Sequence, residues 1–169
     1  MQVIARGIRG WIGLLGLLLA LGLASTSASA ARSGEFVTPH TRYWIDPQGQ
    51  ATIDEVLRLP PDALQAMERP RSFEIGRGAL WLRYDVPALD TARRWYLVLE
   101  GGAFTNRATL YTPGLGGAWQ VQEAGDHLPV AQWTHPSRMP VFALDGAAGT
   151  AVWLRLENHP APLSPSLRL

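Results

Sequence analysis

Two short runs in this chain hold the residue types from which a binding surface is built. In Leu80-Trp81-Leu82-Arg83-Tyr84-Asp85-Val86 the odd-numbered positions are Trp81, Arg83 and Asp85. In Val152-Trp153-Leu154-Arg155-Leu156-Glu157 they are Trp153, Arg155 and Glu157. An indole offers a flat face on which a pyranose ring stacks, while guanidinium and carboxylate groups donate to and accept from its hydroxyls. Trp-x-Arg-x-acid, written twice about seventy residues apart, therefore reads as a ligand-binding constellation for a carbohydrate or another small polar molecule. A scaffolding reading stands beside it. Arg stacked on Trp and paired to an acid across neighbouring strands also finishes the outer face of a sheet.

Other chemistry finds less support. His40, His127, His135 and His159 are scattered, without the His-x-His or His-x₃-His spacing of a metal site. The chain has no cysteine, which removes disulfides, Cys-ligated zinc, iron–sulfur clusters and Cys nucleophiles. No Gly-x-Ser-x-Gly elbow occurs, and no Gly-rich loop leads from a strand into a helix to cradle phosphate. Glu123 and Asp126, beside the loop Gly125–Pro129, are the carboxylates nearest to a glycosidase pair, an assignment that three-dimensional spacing decides. The expectation is a binding domain, not an enzyme, and one without a cofactor.

All fifteen basic residues are Arg and none is Lys, as a GC-rich genome would produce. Loss of Arg6 and Arg9 with a leader leaves thirteen basic residues (fifteen less two) against fourteen acidic ones. That near-neutral balance lacks the concentrated positive face needed to displace phosphate counterions, so no nucleic-acid partner is expected.

The elements that must position these residues are short. Seventeen Gly and thirteen Pro predict many turns. From Thr41 onward, apolar runs alternate in period two between Gly/Pro clusters, the pattern of an all-β domain. Strands are expected at Thr41–Ile45, Ala79–Val86, Arg94–Glu100, Arg107–Thr112, Trp119–Glu123, Met139–Leu144 and Ala151–Glu157, with Leu163–Leu169 as a further one. Thr52–Leu59 reads as a short helix, with Thr52 as N-cap and Glu55 completing a capping box before Pro60-Pro61. Ala63–Met67 fits either a helical turn or a strand. About eight antiparallel strands suit a jelly-roll-like β-sandwich, with an up-and-down barrel as the rival. The alternation turns Leu80, Leu82, Tyr84, Val152, Leu154 and Leu156 inward and both Trp-x-Arg-x-acid sets outward.

Residues 1–30 have the parts of a secretory leader. Arg6 and Arg9 precede the apolar run Trp11–Ala24, and Ala28 and Ala30 fit the small pockets of a signal peptidase, so cleavage is expected after Ala30. The apolar run is shorter than the ~18–20 residues of a membrane-spanning helix. The expected organisation is a cleavable signal peptide over 1–30, a linker over 31–40 and a periplasmic β-sandwich over 41–169.

The runs Tyr43-Trp44-Ile45-Asp46, Gly78-Ala79-Leu80-Trp81-Leu82-Arg83 and Trp95-Tyr96-Leu97-Val98-Leu99-Glu100 follow one another along the chain. After them come Thr109-Leu110-Tyr111, Gly125-Asp126, Arg138-Met139-Pro140-Val141-Phe142 and Val152-Trp153-Leu154-Arg155-Leu156. In the order and spacing of these motifs the chain from about Thr41 to Leu169 resembles the type 2 extracellular domain of bacterial seven-transmembrane receptors with diverse intracellular signalling modules, the 7TMR-DISM group. The resemblance implies a periplasmic sensor domain with a fold similar to carbohydrate-binding modules. In such receptors it stands ahead of seven transmembrane helices and a cytoplasmic diguanylate cyclase or histidine kinase. It implies a truncated receptor or a fragment of one here, with the output module absent, and a small polar ligand, a membrane receptor or its own missing transmembrane region as partner. Asn106 and Ala108 depart from the Asp and β-branched residue expected before Leu110, which weakens an acidic role there.

Overall fold

Alternating apolar residues become strands because successive side chains leave an extended backbone on opposite faces. The computed structural model describes residues 34–101 and 105–169; the expected signal peptide lies outside them. The strands are β1 (Thr41–Asp46), β2 (Gln65–Met67), β3 (Ala79–Asp85), β4 (Tyr96–Glu100), β5 (Arg107–Pro113), β6 (Trp119–Ala124), β7 (Val141–Ala143), β8 (Ala151–Glu157) and β9 (Ser166–Arg168). A single α-helix among the described residues, α1, covers Ile53–Leu57. Every strand pairing is antiparallel.

One sheet has the order β2-β1-β3-β8-β5-β6 and the other β7-β4-β9. The chain crosses between them at β3–β4, β4–β5, β6–β7, β7–β8 and β8–β9, so pairs such as β3 with β8 and β4 with β9 are neighbours in space but distant in sequence. This is a sandwich of jelly-roll character. The ambiguous Ala63–Met67 segment resolves into a 3-10 turn at Pro61–Ala63 followed by β2. Pairing also runs past the short strand ends, since Leu99 N–H donates to Pro140 O (3.0 Å) and Leu144 N–H to Trp95 O (2.9 Å).

The inward faces meet as expected. Leu80, Leu82 and Tyr84 of β3, Leu97 and Leu99 of β4, Leu110 of β5, Phe142 of β7 and Val152, Leu154 and Leu156 of β8 share one buried cluster. Leu82 stands opposite Leu154, and Leu154 opposite Leu110, across three central strands. Residues 34–40, placed in the linker by the sequence, run beside β9: Val37 N–H donates to Leu167 O (2.9 Å) and Leu169 N–H to Glu35 O (3.0 Å). Gln122 ties the two sheets at the edge, its side-chain amide exchanging two 2.8 Å hydrogen bonds with the backbone of Ala143.

The entry to β3 is tight. A Cβ added to Gly78 would sit 2.9 Å from Ile75 O and collide with Asp46 O, both of them backbone atoms that cannot yield like a flexible side chain. Gly78→Ala is therefore expected to cost about 2–3 kcal/mol by overpacking. Urea titration of the variant and the parent checks this, and equal midpoints would place the turn farther from β1 than it stands here.

Candidate functional site

Because β3 and β8 are antiparallel, the two Trp-x-Arg-x-acid runs are read in opposite directions. Trp81 therefore falls opposite Arg155, and Arg83 opposite Trp153. The Arg155 guanidinium carbon lies 5.9 Å from the centroid of the Trp81 ring, and that of Arg83 lies 6.0 Å from the Trp153 ring. The structure thus brings together both sets that the sequence singled out.

It does not leave them open. Trp81 is 0% exposed and Trp153 only 4%. The sequence reading turned both outward to solvent, and that part is corrected: they occupy the outer face of the sheet, but a second layer covers them. The chain after β1 lies over this face and carries α1. Val56 joins Ala79, Trp81 and Trp153 in a separate buried cluster, with Ala51, Ile53, Leu59, Leu64, Trp44, Tyr111 and Trp119 packed against it. Tyr111 stacks on Trp81 with ring centroids 5.6 Å apart. The signal for this cover is present in the sequence: Ile53 and Val56 fall at helical spacing on one face of α1, with Leu59 just past its end, and this apolar set requires a partner.

Local chemistry fixes the strap. Asp46 is buried, and its carboxylate accepts from Gln48 N–H (3.1 Å) and Ala51 N–H (2.7 Å), which turns the chain back over the sheet. Thr52 and Glu55 form the expected capping box at the start of α1. Hydrogen bonding from Thr52, backbone first, holds the Glu55 carboxyl below its ordinary range. Arg155 bolts the strap down from beneath, with Nη2 donating to Gly49 O (2.6 Å) and Nη1 to the Glu157 carboxylate. Burial lowers the Arg155 pKa from its ordinary value, against the opposing influence of Tyr111 and Asp46. Burial likewise raises the Tyr111 phenol.

What remains accessible of the six residues is polar. Arg83 donates from Nη2 to the Asp85 carboxylate at 2.7 Å, with side chains 31% and 62% exposed. Arg155 is far more enclosed at 14%, and Glu157 is partly exposed at 35%. The Trp81 indole N–H has no acceptor among the described residues. Its burial is therefore driven by apolar area and stacking.

The remaining candidates stay apart. Glu123 accepts a long hydrogen bond from the Thr109 hydroxyl (3.5 Å), and Asp126 is exposed. Asn106 and Asn158 work as loop clamps: Asn158 Oδ1 accepts from Asn106 N–H (3.3 Å), and Asn106 Oδ1 accepts from His159 N–H (2.5 Å). His40, His127 and His159 are exposed, and His135 meets Tyr96 edge-on at 5.3 Å. No group of three His, Asp or Glu residues suited to a metal ion occurs among the described residues.

The comparison that decides the family covers this whole sandwich: the model of the 7TMR-DISM extracellular 2 domain matches residues 38–169. The chain belongs to the 7TMR-DISM extracellular 2 family. Among curated proteins, none matches the chain. As a 7TMR-DISM extracellular 2 domain it is a sensor domain of the kind carried outside the cytoplasm by signalling receptors. Among the described residues no helix is long and apolar enough to cross a membrane. In this family member Trp81, Trp153 and Arg155 of the double Trp-x-Arg-x-acid motif lie beneath the strap, while Arg83, Asp85 and Glu157 keep partial exposure.

Proposed function

We propose that this chain is the ligand-binding sensor domain of a bacterial signal-transduction receptor, acting in the periplasm without catalysing a reaction. Its ligand is a carbohydrate or a similar small polar molecule. The observation that carries this reading is the family match over residues 38–169. The partly exposed Arg83–Asp85 pair supports it, because it offers a donor and an acceptor side by side on a rigid sheet. Trp81 and Trp153 serve as the layer beneath and do not stack on the ligand. Trp153, over which the Arg83 guanidinium lies, holds the pair in place, and Trp81, Arg155 and Glu157 act by securing the strap beside it.

Arg83→Ala is then expected to weaken binding at least tenfold in calorimetric titrations against a panel of sugars and glycan fragments. Its thermal stability should change little, since an exposed ion pair contributes ~0–1 kcal/mol. A sugar that binds the parent and Arg83→Ala equally well would remove this pair from the site. A second reading, docking to the periplasmic domain of a partner receptor, rests on the exposed apolar side chains of Leu115 (96%) and Val121 (53%) near the free edge of β6. Failure of every sugar in the panel, with a partner domain captured through β6, would favour it.

A further inference from the structure

The β2 edge of the larger sheet carries a different kind of site. There the chain from Ala66 to Ser72 borders an open cleft of about 440 Å³, lined by the buried Met67 and the exposed Ala66, Glu68, Arg69, Arg71 and Ser72. That volume falls in the usual range for small-ligand sites.

Arg71 is held in place before any ligand arrives. Its guanidinium lies 5.4 Å from the centroid of the Tyr43 ring and 5.1 Å from that of Phe73, and Nη1 donates to the Tyr43 hydroxyl at 2.9 Å. Both rings are buried and pack edge-to-face at 4.9 Å. The Tyr43 hydroxyl donates in turn to Gln65 Oε1. The ion pairs of Arg83, Arg93, Arg155 and Arg168 do not include Arg71, and Glu68 is the carboxylate that lines the same cleft. A guanidinium seated on two rings, with N–H groups beyond the one given to Tyr43, presents a planar fork that matches a carboxylate in two parallel hydrogen bonds. Its fixed position lowers the ordering cost of binding.

We infer that this cleft takes the carboxylate of an acidic saccharide, a uronic-acid unit, with Arg71 as the carboxylate fork; the inference rests on the carbohydrate reading above. Arg69 adds a second positive charge, while Glu68 and Ser72 provide polar groups for sugar hydroxyls. Glu68 also sets the anion class, because its charge opposes a phosphate dianion more strongly than a carboxylate monoanion. The cleft is separate from the Arg83–Asp85 pair: Tyr43, on which Arg71 rests, is the register partner of Gln65 and of the inward-facing Leu82, whereas Arg42 pairs with Arg83 on the outer face of the sheet.

The test is calorimetric titration of the protein with galacturonate and digalacturonate, with galactose and its disaccharide as neutral counterparts, and with inorganic phosphate. The acidic sugars are expected to bind at least tenfold tighter than the neutral ones and tighter than phosphate. Arg71→Gln, which keeps a side-chain stem over the two rings, should erase that preference, and Arg71→Lys should retain part of it. Equal binding of acidic and neutral sugars, or a preference that survives in Arg71→Gln, overturns the role of Arg71 and leaves the sensor reading standing. Phosphate binding as tight as galacturonate overturns the carboxylate assignment. Failure of all these saccharides, with the wider sugar panel also negative, removes both this inference and the carbohydrate reading beneath it.

Discussion

Trp81→Ala is expected to lower stability by about 3–5 kcal/mol, the range for truncating a large buried aromatic side chain. Trp81 is fully buried between the sheet and the strap that carries α1, and it packs with Val56, Ala79 and Trp153. Its removal also takes away the ring stacked on Tyr111 and the aromatic face beneath Arg155. Release of an indole N–H without an acceptor returns part of that loss, since leaving a buried donor unpaired costs about 1–3 kcal/mol. Packing wins because the lost apolar area and the cavity act together. Urea denaturation of the parent and the variant measures the difference. A variant with an unchanged midpoint, but with lost sugar binding, would mean that the strap lifts in solution and that Trp81 meets the ligand directly.

Leu154→Asp should be more damaging still, with a loss of upwards of about 5 kcal/mol, and should leave little folded protein. Leu154 lies on β8 between Leu82 and Leu110 and faces the second sheet, in a cluster that contains no charged side chain. A carboxylate there has no partner, so the domain must either bury an unpaired charge or open the sandwich. Circular dichroism with thermal melting reads the outcome. Parent-like melting of Leu154→Asp would place the β8 register one residue away, because such a slip exchanges the two faces of a strand.

The double Trp-x-Arg-x-acid motif shows how far a local pattern reaches. Alternation of side chains is a property of the extended backbone itself, so the inward set of Leu80, Leu82, Leu154 and Leu156 was legible without any partner strand. The capping box of Thr52 and Glu55 was legible for the same reason, since its hydrogen bonds close within three residues. The order of short motifs from Tyr43 to Leu156 likewise carried the family, because it reflects the succession of strands along the chain.

Solvent access is another matter. The sequence assigns Trp81 and Trp153 to the outer face of the sheet, yet whether that face meets water depends on where the segment after β1 folds. That path is set by long-range contacts, notably Arg155 with Gly49 O across 106 positions. The opposition of each Trp to the other run's Arg depends on β3 and β8 being antiparallel neighbours, a pairing that only the jelly-roll crossings create. Arg71 gave no signal in its own neighbourhood, because its aromatic seat needs Tyr43, 28 positions away. Composition and period thus determined the all-β fold and the two faces of each strand. Tertiary structure decided which of those faces is covered and which arginines remain free to meet a ligand, because burial and charge pairing depend on groups that approach only once the sheets have closed.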